Sequence, residues 1–274
     1  MSNAAWQVTS LARRDIPALT ALQPPDWGDV RLVFNRHLDH DYFHAFVIKR
    51  NDGLPVGVGE VIRFNLTAWL GNIIVHPEYQ RQGLGGLLTL HGVKYAQHHG
   101  LSSIWLLATP QGAPVYERLG FNLHGRYLFY RTDLPLNPPE GVRCRRLKDI
   151  DHSQLFHLDQ VATGEDRKPM LEVALQGALG TFSSDGRLTG FYLPQLGDGL
   201  IIANNQQDGM ALLAQRQSNG KSYVVIPEAN TWLCNYLAIR HFTVFRTAQL
   251  MALGPTKKVW HPEMVYSRIG GYAG

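Results

Sequence analysis

The chain reads as an α/β protein of the mixed-sheet (α+β) kind, laid out as two similar units in tandem. Three observations predict this. Short β-branched and aromatic runs alternate with helix-period stretches along the whole length. One apolar run, Leu70 to Val75, feeds a glycine-rich turn and then a helical pattern from Leu84 to about Ala96. Beyond a proline-rich stretch the element order starts again, with little sequence identity.

At 274 residues the chain is comfortable for two domains, and 45% hydrophobic against 18% charged residues is enough for ordinary buried cores. The net charge of +4, without long Lys/Arg runs, argues against nucleic acid and suits a polyphosphate ligand. Cys144 and Cys234 are the two cysteines, too few for a disulfide framework, and their apolar flanks predict buried thiols. No apolar stretch approaches the ~18 residues of a membrane helix, and the N-terminus lacks a charged-then-apolar signal pattern. Both point to a cytoplasmic protein without a membrane partner.

In chain order, Trp6 to Leu11 alternates as an opening strand, and Ala12 to Leu22 reads as a helix with Asp15 and Pro17 in its first turn. Pro24 to Gly28 is a turn-rich loop, after which Asp29 is placed to cap a helix through Leu38. Val30, Val33, Phe34 and His37 share one face of it. Phe43–Lys49 and Val56–Phe64 are strands joined by the hairpin turn Asn51-Asp52-Gly53. Thr67 to Val75 is the next strand, and Pro77, which has no N–H, ends it. After the glycine-rich turn and its helix come a strand at Ser103–Ala108, a short helix at Gln111–Leu119 and a strand at Phe121–Thr132.

The turn Gln80-Arg81-Gln82-Gly83-Leu84-Gly85-Gly86 has the makings of an anion site. The first N–H groups of a helix lack intrahelical partners, the dipole there is positive, glycines allow close backbone approach, and Arg81 adds charge. No Gly-Lys-Ser/Thr follows, so it is not a Walker loop, and the three-glycine dinucleotide spacing is absent. Gln80, Gly83 and Gly85, preceded by Val75-x-Pro77-x-Tyr79, resemble the coenzyme A pyrophosphate loop of the GNAT superfamily of N-acetyltransferases. Tyr116, four residues before Gly120-Phe121 on a short helix, is a second match in the right order. The resemblance covers most of residues 5–134.

Thr132 to Val142, TDLPLNPPEGV, carries three prolines and a glycine. It divides a first unit, 1–134, from a second, 143–274, with 135–142 as linker. The second unit reads as a strand at Arg143–Leu147, helices at Asp151–Val161 and Arg167–Ala178, and strands at Gly186–Leu196 and Gly199–Ala203. A helix at Gln207–Gln217, a strand at Ser222–Ile226, a helix at Asn230–Ile239 and a strand at Phe242–Leu253 complete it. This order is that of a second GNAT-like fold without the chemistry. Where the first unit has its loop, the second has Ala203-Asn204-Asn205-Gln206-Gln207-Asp208-Gly209, with one glycine and an anion-repelling Asp208. Aligning His241-Phe242 with Gly120-Phe121 sets Leu237 opposite Tyr116. Such a degenerate half either covers the active site and shapes the substrate pocket or serves as scaffold. The closing WHPEMVYSRIGGYAG resembles the C-terminal tail of asymmetric tandem members of the superfamily.

The resemblance implies acyl transfer from acetyl-coenzyme A to an amine. An alkyl amine has a pKa of about 10, so a base must take its proton, and the leaving thiolate needs an acid. By the resemblance, backbone groups at Ile74 and Val75 hold the acetyl carbonyl and pantetheine arm. The amides of Arg81, Gln82, Gly83, Leu84, Gly85 and Gly86 hold the pyrophosphate, and Tyr116 donates to the sulfur. Tyr116 otherwise reads as a core tyrosine. Many relatives carry a Glu on the strand before the loop; here that stretch is Trp69-Leu70-Gly71-Asn72. Glu60, one strand earlier, is the nearest candidate base, or else a strand-edge carboxylate facing water. A water chain ending at Glu60 or Asp26 would also serve. Trp27, Phe34 and Trp69 are candidates to line the acceptor site or to pack. His37, His98 and His99 have no ligand-like spacing, read as surface or helix-face residues, and imply no metal. The acceptor is a small-molecule or peptide amine, and neither its identity nor the oligomeric state has a sequence signature. The missing strand carboxylate motivates an alternative, a non-catalytic coenzyme A-binding or regulatory module. A transferase using an RNA-linked donor is a third reading, disfavoured by the modest basicity.

Overall fold

The computed structural model describes residues 6–25, 27–131, 134–256 and 259–274. Asp26 lies outside them, as does Thr132 at the expected strand end. The chain forms two compact units. The first holds the chain up to Leu123 together with Met251–Thr256 and Gly271–Ala273; the second holds His124–Leu250, the stretch ending at Gly270, and Gly274.

The first unit comprises β1 (Val8–Ser10), a 3-10 helix (Arg13–Leu22), α1 (Arg31–His37), β2 (Phe43–Lys49), β3 (Pro55–Arg63), β4 (Thr67–Val75), α2 (Leu84–His98), β5 (Ser103–Ala108) and α3 (Ala113–Arg118). The strands lie in the order β1-β2-β3-β4-β5, antiparallel except for the parallel pair β4–β5. β3 is buried at every residue but its last, the pattern of a strand covered on both faces. One face carries Phe46, Val61 and Leu70, which crowd the Cβ direction of Gly92 on α2. On the other, α1 packs Phe34 and His37 edgewise or tilted against Phe43 of β2. Leu84, Leu88, Val93 and Ala96 on α2 are buried, and each fully buried leucine contributes about 1.5–3 kcal/mol.

Two local expectations change here. Ala12–Leu22 forms a 3-10 rather than an α-helix, with Pro17 inside it unable to donate. Asp29 does not cap α1, whose N-cap is Val30. Its carboxylate is taken by the Arg31 amide and guanidinium instead.

The second unit holds β6 (Asn122–Arg131, from His124 on), β7 (Arg145–Arg146), α4 (His152–Thr163), α5 (Lys168–Glu172), β8 (Leu179–Phe182), β9 (Leu188–Leu193), β10 (Leu200–Ala203), α6 (Gln206–Ser218), β11 (Tyr223–Pro227), α7 (Thr231–Ile239), most of β12 (Thr243–Leu253) and β13 (Val265–Ser267). An antiparallel sheet runs β13-β10-β9-β8-β7, while β6 lies between β12 and β11. The expected helix Arg167–Ala178 shrinks to α5, and the chain turns at Gly177 (φ 77°) into β8, which sequence reading missed. β13 was missed as well. β6, read as closing the first unit, takes its ladder from β11 over Tyr127–Arg131, so the compact units do not divide at residue 134. Proline density marks where regular structure stops, not which sheet a strand joins.

The proposed alignment of the halves has a structural counterpart in their helix ends. Phe121 N–H donates to Tyr116 O at 3.1 Å, and Phe242 N–H donates to Leu237 O at 3.0 Å. The turn residue is left-handed in each, Gly120 at φ 88° and His241 at φ 60°.

Candidate active site

β4 and β5 pair in parallel only from Thr67↔Ser103 to Leu70↔Leu106. Beyond Leu70 no residue of β4 pairs with β5, so the two strands part at their carboxyl ends. This is where open α/β sheets take ligands. Ile74 and Val75 lie on this free stretch, tied on the other side to Val58 and Gly57 of β3. The chain then makes a turn anchored by Gln80, whose side-chain amide donates to Val75 O at 3.1 Å. Arg81 (φ 61°) and Gly83 (φ 82°) are both left-handed, and Gly83 is the N-cap of α2 without a side-chain cap. None of the amides from Arg81 to Gly86 has an acceptor among the described residues; the first bond of α2 runs from Leu87 N to Gly83 O. A Cβ added at Gly83 or Gly85 would meet nothing within 4 Å. Arg81, Gln82 and Gly83 are exposed, whereas the Leu84 side chain is buried in the core and offers only its amide. Unused amides, open space and a helix N-terminus fit a diphosphate.

Opposite Glu60 the β3–β4 register slips: Val58 pairs with Ile74 but Glu60 pairs with Gly71, so β4 carries one extra residue. Asn72 sits in this bulge at φ 46°, a conformation asparagine tolerates better than most residues. Its side-chain amide donates to Glu60 Oε1 at 2.8 Å. Glu60 is fully buried, which removes the reading of a strand-edge carboxylate facing water. Its Oε2 is buried without a hydrogen-bond partner among the described residues. Burial pushes its carboxyl up to about 8, with the Asn72 hydrogen bond pulling the other way. Gly71 is needed here, because a Cβ would lie 2.3 Å from Tyr272 Cβ and 2.7 Å from Glu60 Oε1. Sequence reading noted Gly71-Asn72 only as lacking a carboxylate. A Gly-Asn pair inside a strand pattern is itself a bulge signal.

Tyr116 on α3 is buried, edge-on to Phe121 with ring centroids 5.9 Å apart. Its hydroxyl makes no hydrogen bond among the described residues, and burial pushes its pKa up to about 12. Trp69 is 2% exposed and stacks on Trp105, so it offers no free ring face, and Phe34 is buried at 0%. Trp27 is half-buried in a loop organised by Gln23, whose amide donates to Pro24, Trp27 and Gly28 carbonyls and whose Oε1 accepts from Val30 N. His37 is a core histidine rather than a surface one, with Nδ1 2.8 Å from the Tyr42 hydroxyl and Nε2 buried without a partner. Burial pushes its pKa down to about 3. Both cysteines are free and half-buried, not fully buried as expected. Among the described residues no cluster of His, Cys, Asp and Glu is placed to hold a metal, and no helix is long and apolar enough to cross a membrane.

The corresponding helix start in the second unit differs on each count. The Asn205 side chain caps α6 by accepting from Asp208 N at 2.9 Å, and its own amide donates to the Asp208 carboxylate. The Tyr266 ring lies over Gly209, where an added Cβ would come within 2.2 Å of it. Asn204 instead lines an open cavity of about 580 Å³ with Ser153, Gln154, His157 and Arg187.

The model of the Acetyltransferase (GNAT) family matches residues 8–121. The [ribosomal protein bS18]-alanine N-acetyltransferase of Escherichia coli K12 is 43% identical over 122 residues, 42% of this chain and 80% of that protein. The uncharacterized N-acetyltransferase YitH of Bacillus subtilis is 28% identical over 177 residues, 60% of this chain and 62% of YitH. The uncharacterized N-acetyltransferase ycf52 of Gracilaria tenuistipitata is 38% identical over 58 residues, 21% of this chain and 31% of ycf52. The chain therefore spans less than two thirds of these last two relatives. A solved structure from Pyrococcus horikoshii superposes with a TM-score of 0.84 at 22% identity, covering 100% of this chain and 98% of that one. A tandem GNAT protein from the clavulanic acid biosynthesis pathway gives 0.63 at 14% identity, covering 92% and 100%. At these identities the structural likeness is one of fold.

Proposed function

The chain belongs to the GNAT acetyltransferase family, a family of acyltransferases, and from that premise we propose that it transfers an acetyl group from acetyl-coenzyme A to a primary amine. The observation that carries the reading is the row of unused amides from Arg81 to Gly86 at the mouth of the parted strands β4 and β5. The catalytic residues fall within 1–134 in this reading. The amides hold the diphosphate, Arg81 adds charge, and the free edge at Ile74 and Val75 takes the pantetheine arm and acetyl carbonyl. Acetyl-coenzyme A, when bound, supplies the thioester carbonyl to be attacked and the thiol that leaves.

Glu60 acts as the base, taking a proton from the acceptor ammonium so that a neutral amine attacks. A carboxyl near 8 lies closer to an alkyl amine, at about 10, than an ordinary one does, which makes this transfer less uphill. As the N–C bond forms and the C–S bond breaks, Tyr116 donates its hydroxyl proton toward the sulfur. Its elevated pKa keeps that proton in place across the working range. The absence of a carboxylate from β4, which motivated the non-catalytic reading, is offset by Glu60 one strand away at the same bulge. The capped, tyrosine-covered start of α6 and its Asp208 support reading the second half as a degenerate GNAT-like domain that binds no coenzyme A.

The test is acetyl-coenzyme A turnover against a panel of small primary amines and peptides with free N-termini. The peptides are included because the E. coli relative is named for a ribosomal-protein alanine. Tight cofactor binding without acyl transfer to any member would favour the non-catalytic module. A cofactor-soaked crystal with the nucleotide in the Asn204 cavity and the loop empty would overturn the assignment.

A further inference from the structure

Gly271–Ala273 belongs to the first unit although the residues on either side of it belong to the second. Tyr272 is 6% exposed and Ala273 is fully buried. Tyr272 Cα and Cβ sit 2.7 and 2.3 Å from the point where a side chain on Gly71 would begin, and Glu60 Oε1 lies 2.7 Å from that same point. The Tyr272 ring is 6.4 Å from the His37 ring, centroid to centroid. Glu60 Oε2 and His37 Nε2 are both buried without a hydrogen-bond partner among the described residues.

Resting on the reading of Glu60 as the base, we propose that Tyr272 is a positioning residue: it packs over the Glu60 carboxyl and excludes bulk water, so that Glu60 exchanges its proton with the acceptor amine rather than with solvent. Glu60 alternates with Val61, which faces α2, so it points to the other face of the sheet, beside Ala45 and Gly71. The titratable and charged groups on elements packed against that face are Arg31, Arg36 and His37 of α1, Tyr42, and Arg13, Arg14 and Asp15 of the 3-10 helix, Asp15 itself paired with Lys49 at 2.8 Å. Among the described residues Asn72 is the one that hydrogen-bonds Glu60. What holds the carboxyl away from its ordinary range is burial, and the Gly271–Ala273 segment is part of that cover.

The experiment compares Tyr272→Phe and Tyr272→Ala in the full chain by two readouts. One is the acid limb of kcat/KM against pH. The other is an infrared titration of the Glu60 carboxyl stretch, assigned by difference from Glu60→Gln, which reads Glu60 without turnover. Tyr272→Ala is expected to move both midpoints down by at least one pH unit and to lower kcat about tenfold or more, while Tyr272→Phe restores wild-type behaviour. Should Tyr272→Ala not fold, Tyr272→Val answers the same question with a smaller gap. An unmoved infrared midpoint in a folded Ala or Val variant overturns the proposal, as does a Phe variant as disturbed as Ala. If the wild type acetylates no amine, the transfer reading fails while the infrared arm still decides the role of Tyr272.

Discussion

Asn72 donates to Glu60 Oε1 from a left-handed backbone, at 2.8 Å and φ 46°. The bulge thus supplies the single hydrogen bond that opposes desolvation of the carboxylate. Removing that donor must raise the Glu60 pKa further. Asn72→Gly, which suits the backbone, should leave stability near wild type and shift the acid limb of kcat/KM upward from about 8. Asn72→Ala should show the same shift plus about 1 kcal/mol of destabilisation, because Ala keeps a Cβ in the left-handed region but loses the polar side chain that lets Asn tolerate it. A pH–rate profile and a denaturant melt check both. An acid limb unmoved in either variant would detach Asn72 from the base.

Glu60 itself gives a stability signature independent of turnover. Its folded pKa, about 8, lies above the ordinary value of 4.5. Between those values the folded chain binds the extra proton, so the Glu60 contribution to stability falls as pH rises through that window. Glu60→Gln keeps an acceptor for Asn72 and removes the titration. It should match wild type near pH 4.5 and be the more stable protein above pH 8, by up to a few kcal/mol. The same variant should lose about 10²-fold or more in kcat with coenzyme A affinity unchanged. Equal melting temperatures at pH 5 and pH 9 would contradict the buried, titrating carboxyl.

The two glycines at the start of α2 should separate stability from affinity. Gly85 is helical and open to space, so Gly85→Ala should stabilise the protein by about 0.5–1 kcal/mol while weakening coenzyme A binding, since the methyl takes up space left open at the helix start. Gly83 is left-handed at φ 82°, so Gly83→Ala should destabilise by about 1 kcal/mol. Gly83→Glu adds a charge that repels the diphosphate and should cost tenfold or more in affinity. Calorimetric titration with coenzyme A alone measures these. Unchanged affinity in both Gly85→Ala and Gly83→Glu would remove the loop from the site.

The parts legible in the sequence are those whose chemistry is local. The loop from Gln80 to Gly86 and the offset of Tyr116 from Gly120-Phe121 carry their meaning within a few residues, and both lie on the expected elements. Glu60 was nameable as the nearest carboxylate, but its raised pKa comes from burial, with the Asn72 hydrogen bond pulling the other way, and part of the packing beside it comes from Tyr272. The latter is remote in sequence and has no local pattern to mark it. Trp69 shows the converse: an aromatic near the site in sequence whose ring is occupied by Trp105 from the neighbouring strand. β8 and β13 were missed because four- and three-residue strands carry too few alternations to stand out from loops.

Tyr116 tests the other half of the proton transfer. A phenol held near 12 stays protonated at every practical assay pH, so it should act as an acid and contribute no alkaline limb below pH 10. Tyr116→Phe preserves the ring contact with Phe121 and should therefore leave the fold and coenzyme A affinity intact while lowering kcat by about 10²-fold. The loss should shrink with donors whose leaving thiol is more acidic, because those need less protonation. A loss of the same size for every donor would recast Tyr116 as a packing residue.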